Sequence, residues 1–277
     1  MTESLHQPDP QVPPPPAPPP GWIGPPPTLR FPLRRQQPPY EGRARTLVRV
    51  ELVAMAFATA APGLVIGLRG VNDPQQVDTG IDVLTLVAGI LAAFGPVALV
   101  WYLLWRDGAV QAAGFVKTTV GRVLGWGSVG YLCCLGAVFS AGVVITTFLF
   151  AIGRDPVGQQ TETGLRGHLP PIELTIASMV TVLLIAFTAG VTEEAVYRGY
   201  AITRMEQAGW PRAALFAPWA LWTAQHLYQG PIAIFVVGAV GAPLVWLFWW
   251  RRSVWPVMVA HAMYDITIFL VNTSGLV

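Results

Sequence analysis

The sequence predicts an all-α fold, a polytopic membrane helical bundle of about seven transmembrane helices, and two observations carry this prediction. Hydrophobic residues make up 53% of the 277 residues and charged residues only 12%, about half the charged fraction of an ordinary globular domain. The apolar residues are also gathered into stretches of about 20, the length that an α-helix needs to cross a bilayer. We therefore expect a multi-pass membrane protein whose surroundings are the lipid bilayer.

The N-terminal region differs in composition from the rest of the chain. Residues 1–40 hold 15 of the 26 prolines, which is typical of a disordered or polyproline II segment. We expect residues 1–46 to form a disordered, proline-rich, basic cytoplasmic tail and residues 47–277 to form the transmembrane domain. Composition favours a solvated tail over a ligand for a proline-binding partner, and both interpretations stay open.

Seven apolar segments follow the tail, each a candidate membrane span. They are Leu52–Leu68 (interrupted by Pro62), Val83–Trp105, Val123–Ile152, the stretch from Leu174 onward, Ala213–Tyr228, Pro231–Trp250 and Ser253–Val271. Residues 106–122 are expected to lie at the cytoplasmic interface, and residues 154–171 are expected to form a polar external loop.

The distribution of positive charge predicts the orientation. With the N-terminus inside, fourteen Lys and Arg residues fall on inner segments, and only Arg69, Arg154 and Arg166 fall outside. Cytoplasmic segments carry the excess of Lys and Arg, so we expect the N-terminus in the cytoplasm and the C-terminus outside. The arginines collect at helix ends rather than along one face, which argues against a nucleic-acid partner.

The C-terminal half concentrates its ionisable residues inside apolar stretches. A charged side chain in hydrocarbon costs on the order of 2.5–3.5 kcal/mol, so an intramembrane cluster is a functional-site hypothesis. The residues concerned are Glu193, Glu194, Arg198, His226, His261 and Asp265.

Helical spacing sorts these residues into pairs. Glu194 and Arg198 are four residues apart, so they can pair and offset much of the cost of burial. Glu193 is rotated by about 100° from Glu194 and is the carboxylate left available. His261 and Asp265 are also four residues apart and can face one cavity.

A turn signal places the fourth and fifth spans beside each other. Gly209-Trp210-Pro211 predicts a helix stop and restart, so the two spans should form an antiparallel hairpin. At about 1.5 Å of rise per residue, Glu193 and His226 each lie roughly 24 Å from this turn. The two side chains are therefore expected at the same level.

Three ordered motifs resemble those of a known family. Glu193-Glu194-x-x-x-Arg198, Trp222-x-x-x-His226 and His261-x-x-x-Asp265 are similar to the EExxxR, FxxxH and HxxxN or HxxxD motifs of the CPBP family. These are the CAAX protease and bacteriocin-processing intramembrane endopeptidases, also called Rce1-like or ABI proteins. The resemblance covers about residues 170–272, the expected catalytic core, and Trp222 stands where the family commonly has Phe.

The resemblance implies an intramembrane protease of glutamate type that needs no cofactor. Glu193 would be the general base that activates water, helped by His226. His261 and Asp265 would bind the developing oxyanion, and the pair Glu194 and Arg198 would orient Glu193. The substrate would be a peptide or a membrane protein.

Three alternatives stay open at this point. Zinc accepts a ligand set such as Glu193, His226 and His261, which would make the protein a metalloprotease. Buried Glu, His and Asp residues are equally typical of a proton-coupled transporter, although no inverted repeat is visible. A non-catalytic membrane scaffold or immunity protein would have the same fold without the catalytic activity. The proline-rich, lysine-poor composition suggests a bacterial chain, and hence the plasma membrane.

Overall fold

The computed structural model describes residues 40–72, 83–154, 175–229 and 231–273, and every regular element within them is a helix. The elements are α1 Gly42–Asn72, α2 Val83–Arg106, α3 Val120–Ala151, α4 Ile176–Glu193, a π-helix Glu194–Ile202, α5 Thr203–Gln207, α6 Ala213–Gln225, a 3₁₀ turn His226–Gln229, α7 Pro231–Arg251 and α8 Val254–Thr273. The predicted all-α class is confirmed. Residues 1–39 of the predicted tail and residues 155–171 of the predicted external loop lie outside the described residues.

Four described segments are long and apolar enough to cross a membrane. They are Val120–Ala151, Ser178–Gln207, Ile234–Arg251 and Val254–Val271. The predicted span Ala213–Tyr228 corresponds to α6, whose 13 residues reach only about 20 Å, against a hydrocarbon core of roughly 30 Å. The number of seven spans is therefore not confirmed by the described residues.

The first helix differs from its prediction in two respects. α1 begins at Gly42, earlier than the predicted start of the first span, and it continues to Asn72 without a break. The predicted interruption at Pro62 is thus wrong. A proline removes one backbone hydrogen bond, and a helix in apolar surroundings keeps the others because no water is there to replace them.

The helix that carries the motif Glu193-Glu194 lies inside the bundle, and α3 lies at its edge. In the most apolar stretch of Ser178–Gln207, 44% of the residues are buried, against 11% in α3. α4 packs along α8, and α3 packs along α7 and α8. The predicted site residues are therefore surrounded by protein.

A glycine allows α4 and α8 to approach closely. A Cβ atom at Gly190 would lie 2.9 Å from the carbonyl oxygen of Met258 and 3.2 Å from the Cβ of Ala262. Only a residue without a side chain fits such a backbone contact. Glu194 lies one turn after Gly190, and His261 lies about one turn after Met258, so the crossing brings these two side chains together.

The predicted hairpin turn near residue 210 is present. Gly209 adopts a left-handed conformation with φ of 84°, and the Trp210 N–H donates to the Met205 carbonyl at 2.8 Å. These are the features of a Schellman helix stop, which favours glycine at this position. The turn directs α6 back along the π-helix.

The segment between α2 and α3 is formed by turns and extended chain and packs against the ends of three other elements. The Val254 N–H donates to the Gly114 carbonyl at 3.1 Å. The fully buried Arg204 donates to the Leu103 carbonyl and to Asp107, each at 2.8 Å. The Arg106 guanidinium also bonds Asp107, and this contact holds the pKa of the Asp107 carboxyl below its ordinary value. The segment thus ties α2 to α5 and to the start of α8.

Candidate active site

The site begins where the backbone of α4 changes its hydrogen-bond pattern. α4 ends at Glu193, and the chain continues as a π-helix in which every residue except Ala201 is buried. π-helical turns are rare and frequently occur at functional sites. Because this segment has almost no exposed face, Glu194 and Arg198 must find their partners inside the protein.

A buried ion cluster supplies those partners. Glu194 Oε1 accepts from Arg198 Nη1 at 2.9 Å and from His261 Nδ1 at 2.7 Å. An ionised carboxylate only accepts hydrogen bonds, so Nδ1 of His261 carries the proton. The predicted pairing of Glu194 with Arg198 is confirmed. The contact between Glu194 and His261 joins two of the three motifs and was not predicted.

The imidazole of His261 lies between two carboxylates. Its Nε2 is 3.5 Å from Asp265 Oδ2, which is long for a hydrogen bond, whereas Nδ1 is well within hydrogen-bond range of Glu194. Glu194 therefore fixes the ring, and Asp265 is its looser partner. His261 and Asp265 are together, as their spacing predicts.

Glu193 has a different kind of partner from Glu194. Its Oε2 accepts a hydrogen bond from the indole Nε1 of Trp222 on α6. His226 follows at the end of the same helix, where its Nδ1 is 2.7 Å from the Trp222 carbonyl oxygen and its ring centroid is 4.9 Å from that of Trp222. The two residues expected at the same level thus both contact Trp222.

The six predicted residues divide by exposure. Glu194 and Arg198 are fully buried and His261 is 4% exposed, whereas Glu193, His226 and Asp265 are only partly buried. A group that exchanges protons with water or a substrate must be accessible, and a group that only supports others need not be. The exposure therefore permits proton exchange at Glu193 and His226, and it marks Glu194 and Arg198 as supporting positions.

The alternative zinc set does not form a ligand group. Within residues 40–72, 83–154, 175–229 and 231–273, no three His, Cys, Asp or Glu side chains converge as a metal site requires. His261 is instead engaged with Glu194 and Asp265. Glu193, His226 and His261 as they stand do not fit zinc.

Besides the contact between Glu194 and His261, two further contacts of the site were not predicted. Trp222 donates to Glu193, and the Tyr197 hydroxyl donates to Gln225 Oε1 at 2.8 Å, which joins the π-helix to the last residue of α6. The first had a signal in the sequence, since tryptophan carries an N–H that phenylalanine lacks. The second had none, because Tyr197 and Gln225 belong to no motif.

An apolar cavity of about 200 Å³ lies beside the π-helix. Residues of α1, the π-helix, α5 and α6 form its walls. They include Tyr197, the neighbour of Arg198, and Leu221, the neighbour of Trp222. The cavity could take an apolar group close to the polar cluster.

The fold and the site together define a polytopic membrane protein with a polar site inside its helical bundle. The family model described as type II CAAX prenyl endopeptidase Rce1-like matches residues 175–267. This segment holds all six predicted residues, so the resemblance seen in the three motifs is confirmed over it. At the level of the family, the match supports a CAAX-protease-like intramembrane endopeptidase. No curated protein and no solved structure matches the chain.

Proposed function

We propose that this protein is a multi-pass intramembrane endopeptidase that hydrolyses peptide bonds with a water activated by Glu193. The observation that carries the proposal is the division between two adjacent glutamates. Glu194 is fully buried and bound by Arg198 and His261, while Glu193 is accessible and bound by a neutral indole N–H. A base must keep its carboxylate available for a proton, and Glu193 meets that requirement.

The proposed reaction needs one water molecule and forms no covalent bond between the enzyme and the substrate. Glu193 takes a proton from the water, whose oxygen attacks the carbonyl carbon of the scissile bond to give a tetrahedral intermediate. Glu193 then returns the proton to the leaving nitrogen as the C–N bond breaks. His226 assists because its Nδ1 is held by the Trp222 carbonyl, which makes Nε2 the basic nitrogen of a neutral ring.

His261 is the proposed oxyanion donor. Its Nδ1 donates to Glu194, and in the protonated ring Nε2 also carries a proton and faces the looser partner Asp265 at 3.5 Å. A substrate oxyanion would compete for Nε2 more readily than for Nδ1, and a preorganised donor of this kind stabilises the charge of the intermediate. Asp265 keeps the ring oriented, and Arg198 keeps Glu194 in place.

The proposal also includes the number of spans, the orientation in the membrane, the substrate and the partners. We propose seven spans with a cytoplasmic N-terminus and an external C-terminus, in a bacterial plasma membrane. The substrate is a peptide or membrane protein, and its apolar part occupies the cavity beside the π-helix. The proline-rich tail offers a site for a proline-binding partner.

The test of this function is a comparison of peptide termini. Membranes from cells that express the wild type and Glu193→Ala at equal levels are analysed for new termini by mass spectrometry. We expect a set of termini that only the wild type produces. Identical terminal peptides in both membranes would contradict proteolysis and favour the transporter or scaffold alternatives.

The proposed absence of a metal requirement has its own test. Purified wild-type protein is dialysed against a chelator and assayed on a peptide from that set. We expect the rate to be unchanged. Loss of activity that zinc alone restores would overturn the metal-free mechanism and leave Glu193 as a ligand instead.

A further inference from the structure

Trp222 lies at the centre of the site and contacts residues of all three motifs. Besides its hydrogen bond to Glu193, its ring lies 4.5 Å from the Arg198 guanidinium. Its ring centroid is 4.9 Å from that of His226 and 5.7 Å from that of His261. The side chain is only 2% exposed, so its position is fixed by these contacts.

The ring covers polar atoms that have no hydrogen-bond partner among the described residues. Arg198 Nε and Nη2 find no hydrogen-bond acceptor among the described residues, and the face of the Trp222 ring lies against the guanidinium instead. A cation over an aromatic face is stabilised when water is excluded. A phenylalanine could make this contact too, so it does not explain why the residue is tryptophan.

The indole N–H does explain it. An indole nitrogen is a donor only, and a donor that binds an ionised carboxylate makes a stronger and more directional contact than a neutral pair. Because the bond engages Oε2 of Glu193, it limits rotation of the carboxylate and directs Oε1 as the proton-accepting oxygen. Phenylalanine has no atom that could do this.

The neighbouring helix is shaped for the larger ring. A Cβ atom at Gly241 on α7 would lie 2.7 Å from Trp222 Cζ3 and 2.8 Å from Trp219 Cδ1, distances that side chains essentially never tolerate. Glycine at this position therefore leaves the space that both indoles occupy. The sequence supplies both the donor and the room for it.

We propose that Trp222 is a positioning residue, whose indole N–H holds the Glu193 carboxylate in the orientation that activates water. This inference rests on the proposed role of Glu193 as the base. It assigns to the second motif a function in addition to carrying His226. It also predicts that Trp222 and phenylalanine are not equivalent in this chain.

The kinetic test compares two tryptophans of one helix. Trp222→Phe keeps the ring and loses the bond to Glu193. The control Trp219→Phe loses an indole bond of 2.9 Å to the Gly238 carbonyl. Since a hydrogen bond to a charged group is at stake, we expect kcat to fall by about 10- to 100-fold in Trp222→Phe, with KM changed by less than about 3-fold. The control should keep its kcat within about 3-fold.

A spectroscopic test detects the contact between Trp222 and Glu193 and does not depend on enzymatic activity. In ¹⁵N-indole-labelled protein, Glu193→Ala should shift one indole resonance, and that resonance should be the one that Trp222→Phe removes. The Trp219 resonance, assigned with Trp219→Phe, should stay in place. If Trp222→Phe fails to fold, Trp222→Tyr, which also lacks the indole, assigns the resonance instead.

The outcomes separate this inference from the proposed function. A kcat of Trp222→Phe equal to that of Trp219→Phe, or indole resonances unmoved by Glu193→Ala, would overturn the positioning role alone. A wild type that cleaves no peptide would overturn the proposed function, and the resonance shift would then report only the contact. A loss of kcat in Trp222→Phe together with the shift would support the proposal.

Discussion

Two adjacent glutamates with opposite environments are the central feature at the scale of single residues. Glu194 is bound by Arg198 and His261 and has no exposure. Glu193 is partly exposed and has a neutral donor. Replacing either carboxylate by its amide should therefore have different consequences, since one carboxylate balances buried charge and the other exchanges a proton.

We predict that Glu194→Gln destabilises the protein and that Glu193→Gln does not. Breaking one partner of a buried ion pair leaves the other charge uncompensated, which costs about 3–5 kcal/mol of unfolding free energy. The change in Glu193→Gln should stay within about 1 kcal/mol because its amide can still accept the indole hydrogen bond. Unfolding of both variants in detergent measures the difference, and equal stabilities would contradict it.

A second prediction concerns Asp107, which lies outside the membrane spans. The pKa of its carboxyl is lowered, mainly by the hydrogen bond from Arg106, so its stabilising contribution is present above the ordinary carboxyl pKa. It is lost as the pH falls through the lowered value. The unfolding temperature of Asp107→Asn should be lower than that of the wild type at pH 7 and should drop less in acid. Parallel pH profiles of the two proteins would argue against the prediction.

The sequence predicts contacts between residues of one helix better than contacts between residues of different helices. The spacing of Glu194 and Arg198 predicted their pair because both lie on one helical face. The partners of Glu193 and His261 lie on other helices, and the rotation of one helix against another is not contained in the spacing of either. Trp222 was recognised only as a departure from the family motif for this reason.

At the scale of elements, the sequence predicted where helices occur better than what kind they are. The apolar stretch from Leu174 onward corresponds to α4, yet the π-helix at Glu194–Ile202 was not foreseen. Almost all its residues are buried, so the pattern of apolar residues carries no periodicity that could reveal the register. The segment Ala213–Tyr228 was predicted as a full span because hydropathy does not show that α6 gives way to a 3₁₀ turn at His226.

The glycine at the crossing of α4 and α8 gives a prediction for these elements. Gly190→Ala inserts a Cβ atom 2.9 Å from the Met258 carbonyl and must push the helices apart, which typically costs about 1–3 kcal/mol. Because the crossing aligns Glu194 with His261, activity should fall as well. Rates and unfolding temperatures in detergent test both expectations.

Gly142→Ala on α3 is the matched control for this substitution. Its added Cβ atom would meet nothing within 4 Å, and alanine in place of glycine favours a helix by roughly 0.5–1 kcal/mol. The control should therefore keep full activity and equal or higher stability. Similar losses in both variants would mean that the crossing has no special role.

At the scale of the whole molecule, the site belongs to the C-terminal half while N-terminal helices complete its surroundings. α1 packs on α6 and on the 3₁₀ turn that carries His226, and α2 packs on α4 and the π-helix. Hydropathy predicted α1 and α2 as spans but gave no reason to place them beside the site. The family model matches residues 175–267, a segment that does not include α1 or α2.

The proposed orientation is tested on the full chain. With the site residue Arg198 set aside, thirteen inner against three outer Lys and Arg residues predict that the C-terminus lies outside the cytoplasm. In a bacterial host, a C-terminal alkaline phosphatase fusion should be active and a C-terminal green fluorescent protein fusion should be dark. The reverse result would mean an even number of spans or an inverted chain.

The central claim, that Glu193 activates the water, is tested most directly by its amide variant. Wild type, Glu193→Gln and the exposed control Glu41→Gln are assayed on one cleaved peptide in ¹⁸O-labelled water. We predict that solvent oxygen enters the new carboxylate and that Glu193→Gln lowers kcat by about 10²- to 10⁴-fold, while Glu41→Gln retains the wild-type rate. A Glu193→Gln protein that hydrolyses the peptide as fast as the control would contradict it.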